Sequence, residues 1–319
     1  MTTYLITGGA GFIGSNIVAK LVKEQACLVE GSKVKVLDDF STGKRENIAN
    51  FLDRIEVIEG DIRNFEIVKK SLEGVDYCFH QAALPSVERS VKDPLSSNEV
   101  NVTGTLNILI AAKDLGVKRV IYASSSSVYG DTPVLPKRED MSPSPLSPYA
   151  VTKMTAEEYC RIFYSIYGLE TVSLRYFNVF GTNQDPTSPY AAVIPKFIMA
   201  LSTGKELLIY GDGGQSRDFT YIDNVVEANI RATKSTEGLG ETFNIACGQR
   251  VTINELAKNI AKILNVDIKP IHADPRSGDV RHSLADISKA QTCLGYEPRV
   301  GFDEGLRLTV EWYKNKATC

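Results

Sequence analysis

Through its first half the chain alternates short apolar runs with longer stretches whose apolar residues recur at helical spacing. The runs Tyr4–Thr7, Lys33–Leu37, Ile55–Glu59, Val75–His80, Arg119–Ala123 and Thr171–Arg175 read as strands. Between them, Ile17, Val18, Leu21 and Val22 share one helical face, as do Leu106, Ile108, Leu109 and Ala112. Strands alternating with amphipathic helices predict an α/β fold: a doubly wound parallel sheet covered on both faces, with its ligand at the carboxyl ends of the strands.

After about Asn178 the texture changes. Gly, Pro, Asn and Asp cluster through GTNQDPTSPY and again through GDGGQSRD, with short apolar patches between them. This pattern predicts a first domain over residues 1–178 and a smaller C-terminal α/β substrate lobe over 179–319. Residues 224–233 read as a helix and 243–247 as a strand, so the chain is expected to rejoin the first domain over about 224–247.

The first strand runs into Gly8-Gly9-Ala10-Gly11-Phe12-Ile13-Gly14 and then into the first helix. The glycines at 8, 11 and 14 form a variant of the dinucleotide fingerprint in the strand–turn–helix context it requires, so the fold is expected to be Rossmann-like. Glycine permits the tight turn and lets backbone approach a pyrophosphate, while the helix N-terminus offers free N–H groups to the phosphates. Asp38 ends the next strand, close to the spacing expected of a carboxylate that accepts the ribose hydroxyls. Together with Asp39 it repels a 2′-phosphate and favours NAD over NADP, although Lys44 and Arg45 follow closely. Asp61, in GDIRN, is a candidate for the adenine edge; a helix cap accounts for it nearly as well.

Tyr149 and Lys153 are spaced to lie on one face of a helix, which Ser147 caps and Pro148 opens. A free tyrosine titrates near ~10 and is a poor base at neutral pH. A neighbouring ammonium and a nicotinamide cation are expected to lower that value, so that the phenolate takes a proton from a sugar hydroxyl. Upstream, Ser124 to Ser127 follow an apolar strand, where a hydroxyl can bond the reacting oxygen. YxxxK alone is common on surfaces and a serine run alone is usually a loop; their order after a dinucleotide fingerprint is what points to chemistry.

Composition adds exclusions. A net charge of −3 over 319 residues offers no general attraction for nucleic acid or an anionic membrane. No apolar run reaches the length of a bilayer span, and no leader precedes the first strand, so a cytoplasmic location is expected. The six cysteines form no CxxC and no metal-finger spacing, which favours free thiols and no bound metal.

With these features the chain resembles the extended short-chain dehydrogenase/reductase superfamily over essentially its whole length, and within it UDP-glucose and UDP-N-acetylglucosamine 4-epimerases. The stretches that carry the resemblance are TGGAGFIGS, GDIRN, HQAALPSVERS, NVTGTLN, ASSSSVYGD, SPYAVTK, LRYFNVFG, SRDFTYIDN and GDVRHSLADISKA. It implies tightly bound NAD, a UDP-sugar substrate and a homodimer packed through helices near 94–115 and 148–168. It makes Tyr149 the catalytic base, Lys153 its activator and nicotinamide-ribose anchor, and Ser125 the catalytic hydroxyl, with Ser126 the alternative. Gly8, Gly11, Phe12, Ile13 and Gly14 would hold the pyrophosphate, Asp38 the adenosine ribose, and Asp61 and Ile62 the adenine. Asp39, Ser41, Thr42, Gly43, Gln81, Ala82, Ala83, Asn101, Ala123, Tyr176 and Val179 would line the cofactor. The nucleotide sugar would meet Ser86, Ser125, Ser126, Asn178, Ala192, Val193, Tyr210, Arg217, Arg276, Asp279 and Ser283. The two arginines suit a diphosphate, which needs fixed cationic forks.

The segment QACLVEGSKVKV after the first helix is a few residues longer than the family's pattern. The family's gate beside the sugar falls on Ser283, where bulky residues go with exclusion of N-acetylated sugars, so a serine implies room for an acetamido group. The implied reaction is inversion at C4 through a transient 4-keto sugar that turns about its diphosphate link. A 4,6-dehydratase carries Asp-Glu where this chain has Ser125 and Ser126, and a decarboxylase carries Glu there. A UDP-glucuronate epimerase stays open, since Arg217 or Arg281 could face a carboxylate. A non-enzymatic NAD-binding protein is disfavoured because Tyr149 and Lys153 are both present, and an NADPH-releasing reductase is disfavoured by Asp38.

Overall fold

The structure, a computed structural model, describes residues 2–24, 32–187, 191–274 and 280–317. Six strands come first: β1 Thr3–Thr7, β2 Lys33–Asp38, β3 Glu56–Glu59, β4 Tyr77–His80, β5 Arg119–Ser125 and β6 Glu170–Tyr176. Four short ones follow, β7 Val179–Phe180, β8 Leu208–Tyr210, β9 Ser216–Arg217 and β10 Thr220–Tyr221, before β11 Glu241–Ile245, β12 Val251–Thr252 and β13 Ile271–Ala273. The helices before the short strands are α1 Phe12–Glu24, α2 Phe65–Leu72, α3 Val87–Lys92, α4 Pro94–Asn98, α5 Gly104–Asp114 and α6 Pro148–Tyr167. The later ones are α7 Val193–Ser202, α8 Ile222–Lys234, α9 Ile253–Leu264, α10 Ser288–Leu294 and α11 Phe302–Ala317.

Seven strands form one parallel sheet in the order β11-β6-β5-β4-β1-β2-β3. The two-residue period of each strand divides its side chains between two cores. Ile6, Phe79 and Ile121 enter the core shared with α1 and α8, and their neighbours Leu5, Cys78 and Val120 enter the core shared with α2, α5 and α6. Burial on both faces explains why these strands read as continuous apolar runs. Each fully buried Leu, Ile or Phe contributes roughly 1.5–3 kcal/mol of transfer free energy. Strand order reverses between β1 and β4, and an open parallel sheet binds its ligand at that switch point.

Beyond the sheet, β7 pairs with β10, β8 with β13 and β9 with β12 in three small ladders. Residues 241–245 return to pair with β6, and α8 packs on α1. Asp218 ties the segment between β9 and β10 to the end of β11: its buried carboxylate accepts N–H groups of Cys247, Gly248 and Ala285 at 3.0, 3.1 and 3.2 Å. Burial pushes its pKa up to about 6 against those bonds. The described cysteines Cys78, Cys160, Cys247 and Cys293 are free thiols. Among the described residues no helix is long and apolar enough to cross a membrane.

Candidate active site

A cleft of about 1030 Å³ opens at the carboxyl ends of the strands. Its floor is the glycine turn. Gly8 has φ 67°, and a Cβ there would stand 2.7 Å from the Ala82 nitrogen, so the turn between β1 and α1 excludes a side chain on conformational and steric grounds. A Cβ on Gly14 would stand 2.1 Å from the Gly8 carbonyl oxygen, which is why α1 can start so close beneath the turn. Asp38 closes the same cradle. Its buried carboxylate accepts the N–H of Ala10 and of Phe40, both at 2.9 Å, and burial raises its pKa against those two bonds. The cradle leaves bare backbone and a helix N-terminus at one end and a carboxylate at the other. These are the features a dinucleotide's pyrophosphate and ribose require.

The opposite wall is β5 zipped onto α6. Ser147 caps α6 by accepting the Ala150 N–H at 3.2 Å, Pro148 occupies its first turn, and the Tyr149 N–H donates to Ser90 Oγ at 3.0 Å. This fixes the start of the helix and hence the direction of Tyr149. Side chains alternate at the end of β5. Ser124 donates to Glu157, while Ser125 accepts the Ser127 N–H at 3.2 Å and is the polar neighbour that opposes the effect of burial on Tyr149. Ser126 lies in the following 3-10 turn, so Ser125 is the hydroxyl beside the tyrosine. One turn below Tyr149, the buried Lys153 ammonium donates to the Ala123 carbonyl at 2.7 Å.

Electrostatically, the expected depression of the tyrosine does not hold for the chain by itself. Burial raises the Tyr149 pKa, opposed by the Ser125 hydrogen bond; Lys153 bonds a backbone carbonyl instead of the phenol. The ammonium is itself destabilised: burial pulls Lys153 down to about 8, with Glu157 opposing. Behind it, His80 sits between the hydroxyls of Thr7 and Thr105 at 2.7 and 2.9 Å, and burial drives its pKa down to about 3, so it is neutral. The wall combines a proton acceptor, a relay hydroxyl and a nearby cation, which together can deprotonate and reprotonate an alcohol.

Gly8, Gly11, Phe12, Ile13, Gly14, Asp38, Asp39, Ser41, Thr42, Gly43, Asp61, Ile62, Gln81, Ala82, Ala83, Ser86, Ala123, Tyr149, Lys153 and Tyr176 all line the cleft. Asp61 does not cap a helix, as one reading had it: Asn64 caps α2, and Asp61 takes Arg63 at 2.6 Å, which holds its pKa down. Asn101 is buried in the π turn Glu99–Thr103, bonded to both backbone groups of Leu84 and to Thr152, so it holds the loop after Gln81 instead of facing the cleft. Ser86 caps α3 at φ 103°, a backbone strain located at the cleft wall. Val179 belongs to β7 outside the cleft wall.

The remaining sugar-side candidates among the described residues do not line the cleft. Ala192 precedes α7, Val193 begins it, and Tyr210 ends β8. Asn178 reaches the Asp218 carbonyl at 3.0 Å and Ser283 Oγ at 3.5 Å, while the Ser283 N–H donates to the Ser216 carbonyl next to Arg217 at 3.0 Å. Arg276, Asp279 and most of QACLVEGSKVKV lie outside the described residues. Sequence reasoning missed Glu157, although it falls one turn beyond Lys153 and extends the YxxxK spacing. It also missed Arg89, Gln184, Tyr313 and Lys316, which reach the cleft from elements with no local signal.

The sequence profile of the NAD dependent epimerase/dehydratase family matches residues 4–246. A UDP-glucose 4-epimerase of Mycolicibacterium smegmatis is 38% identical over 317 residues, which cover 98% of this chain and 99% of that protein. A UDP-glucuronate 4-epimerase of Thermodesulfobacterium geofontis is 35% identical over 321 residues, 97% of each chain. Among solved structures, the UDP-N-acetylglucosamine 4-epimerase from Methanobrevibacter ruminantium M1, in complex with UDP-N-acetylmuramic acid, superposes with a TM-score of 0.93 at 43% identity and covers 99% of both chains.

Proposed function

Because the chain belongs to the NAD dependent epimerase/dehydratase family, and within it to the UDP-sugar 4-epimerases, we propose that it reversibly inverts C4 of UDP-N-acetylglucosamine and UDP-N-acetylgalactosamine, and of UDP-glucose and UDP-galactose. The observation that carries this reading is that Tyr149 and Lys153, one turn apart on α6, line the same cleft as the glycine cradle.

The residues present fit NAD. Gly8 and Gly11 to Gly14 would face its pyrophosphate, Asp38 its adenosine ribose and Lys153 its nicotinamide end. When bound, NAD supplies a reversible acceptor for hydride. The chain's own part is proton transfer and orientation. Tyr149 takes the proton of the C4 hydroxyl and later returns it, giving a transient 4-keto sugar between the two events. Ser125 holds the same oxygen, and the Lys153 cation stabilises the phenolate while it exists.

The N-acetylated preference rests on Ser283, a small residue beside Asn178, and on the relative at 43% identity that acts on UDP-N-acetylglucosamine. A UDP-glucuronate 4-epimerase is the second reading, favoured by the relative at 35% identity. Against it, Arg281 already faces the Asp212 carboxylate at 3.0 Å. Residues 179–319, apart from the returning α8 and β11, are the substrate lobe of this reading. The protein works in the cytoplasm as a homodimer through α4 to α6 and the turn between them, where Leu95, Val151 and Ile166 present exposed apolar side chains.

Proton NMR of purified protein with UDP-N-acetylglucosamine, UDP-glucose or UDP-glucuronate, without added cofactor, tests the reading. Galacto epimers of the first two support it. Conversion of the glucuronate alone selects the second reading, and no conversion with NAD added removes both.

A further inference from the structure

Three consecutive residues of β5 face α6 at one-turn intervals: Ser125 beside Tyr149, the Ala123 carbonyl bonded to Lys153, and Ser124 bonded to Glu157. The first two belong to the site already described. The third ends on a carboxylate with no contact to the cleft. Glu157 is buried, and besides the Ser124 hydroxyl it takes Arg175 of β6 through both oxygens, Nε to Oε1 at 2.9 Å and Nη2 to Oε2 at 2.7 Å. Arg175 in turn lies 4.7 Å from the centre of the Tyr129 ring, whose hydroxyl donates to Asn244 of β11 at 2.7 Å.

A buried carboxylate between two buried cations is an unusual expense unless it orders something. Removing it would leave Arg175 without its carboxylate partner, and would free the β5 residue that lies between the Lys153 acceptor and Ser125. Fork-to-fork pairing with Arg175 fixes the carboxylate plane, and through Ser124 it fixes where β5 ends.

We propose that Glu157 is a positioning residue for the epimerisation: held by Arg175 and Ser124, its carboxylate sets the register of Ala123, Ser124 and Ser125 against α6 and places a negative charge one turn from Lys153. The proposal rests on the epimerase reading given above.

The groups facing this charge come from every surrounding element. Arg175 comes from β6, Ser124 and Tyr122 from β5, Tyr149, Lys153 and Cys160 from α6, His80 from β4, and Tyr129 from the turn after β5. His80 and Tyr122 are neutral at pH 7; Glu157, ahead of Cys160, is the largest of the influences that oppose burial of the Lys153 charge.

The test is Glu157→Gln, which keeps the shape and removes the charge. The purified protein, with its NAD, is read in two ways: the Lys153 midpoint by NMR of 13Cε-labelled lysine, and kcat and KM for UDP-N-acetylglucosamine against pH. The proposal expects the Lys153 midpoint to fall by about a pH unit, the alkaline limb of kcat to move with it, kcat at pH 7.5 to fall about tenfold, and KM to stay within about twofold. A Lys153 midpoint and a kcat profile unshifted from the parent's would overturn it, even if overall activity fell. Should the single variant fail to fold because Arg175 is left unpaired, Glu157→Gln combined with Arg175→Met removes both charges and gives the same two readouts. An inactive parent on every UDP-sugar would sink the epimerase reading instead; the midpoint comparison would still decide whether Glu157 governs Lys153.

Discussion

The Lys153 ammonium stands 5.9 Å from the centre of the Tyr149 ring and gives its hydrogen bond to the Ala123 carbonyl, 2.7 Å away. Its influence on the phenol is therefore a field effect across packed side chains. The Tyr149 ring is buried, and Ser125 is the polar neighbour that opposes the rise this causes. Tyr149→Phe removes the proton acceptor and leaves the glycine cradle intact. It is expected to lower kcat by about a thousandfold, within the range for loss of a general base, while the purified protein keeps its NAD. Cofactor content after acid release, set beside the NMR rate, checks both halves; near-parental turnover would remove Tyr149 from the mechanism.

Gly14→Ala places a methyl group 2.1 Å from the Gly8 carbonyl oxygen, and backbone must move to admit it. Loss of bound NAD together with a lower melting temperature is the expected result. Gly74→Ala is the control: a Cβ there meets nothing within 4 Å, so only the strain of its φ of 68° is felt and cofactor content should not change. Equal NAD content in both variants would remove the turn from the cofactor site.

Ser283→Tyr fills the space beside Asn178. Turnover of UDP-N-acetylglucosamine should fall at least about tenfold relative to UDP-glucose, since a steric clash at one substituent is felt by the substrate that carries it. Parallel losses on both sugars would show that Ser283 does not sense the acetamido group.

His80 governs acid stability. Its folded pKa, about 3, lies below the ordinary value, so the neutral ring's contribution is complete above pH 6.5 and is lost as pH falls toward 3. At pH 5 this group alone costs about 2 kcal/mol. Asp218 works in the opposite sense, because a carboxyl raised to about 6 gains stability as pH falls from there toward its ordinary value. Urea midpoints at pH 7 and pH 5 should therefore fall less steeply in His80→Asn than in the parent, and more steeply in Asp218→Asn. Parallel slopes in all three proteins would refute this account.

The sheet was legible because its inner strands are buried on both faces, which leaves an apolar run with few alternatives; the strand ends found by pattern differ from the observed ones by two residues or fewer. The cradle was legible because Gly8, Gly11 and Gly14 occur where backbone must approach backbone, and Asp38 because it ends the neighbouring strand. Asn101 could not be placed by pattern, because a buried amide bonding a loop looks, in sequence, like one bonding a ligand. The direction of the Tyr149 shift could not be read at all, since desolvation depends on what packs around the ring. Tyr313 and Gln184 meet at the cleft from distant parts of the chain, and no spacing announces that contact.

The pairing of β11 with β6, Glu241 opposite Val172, has a consequence for synthesis. As the chain emerges from the ribosome, the first six strands are complete while β6 is still an open edge and α1 still lacks the cover of α8. An unpaired edge is a hazard for association with other chains. That hazard persists until residue 245 has been made, so the sheet becomes safe only after β7 to β10 and α8 have been translated.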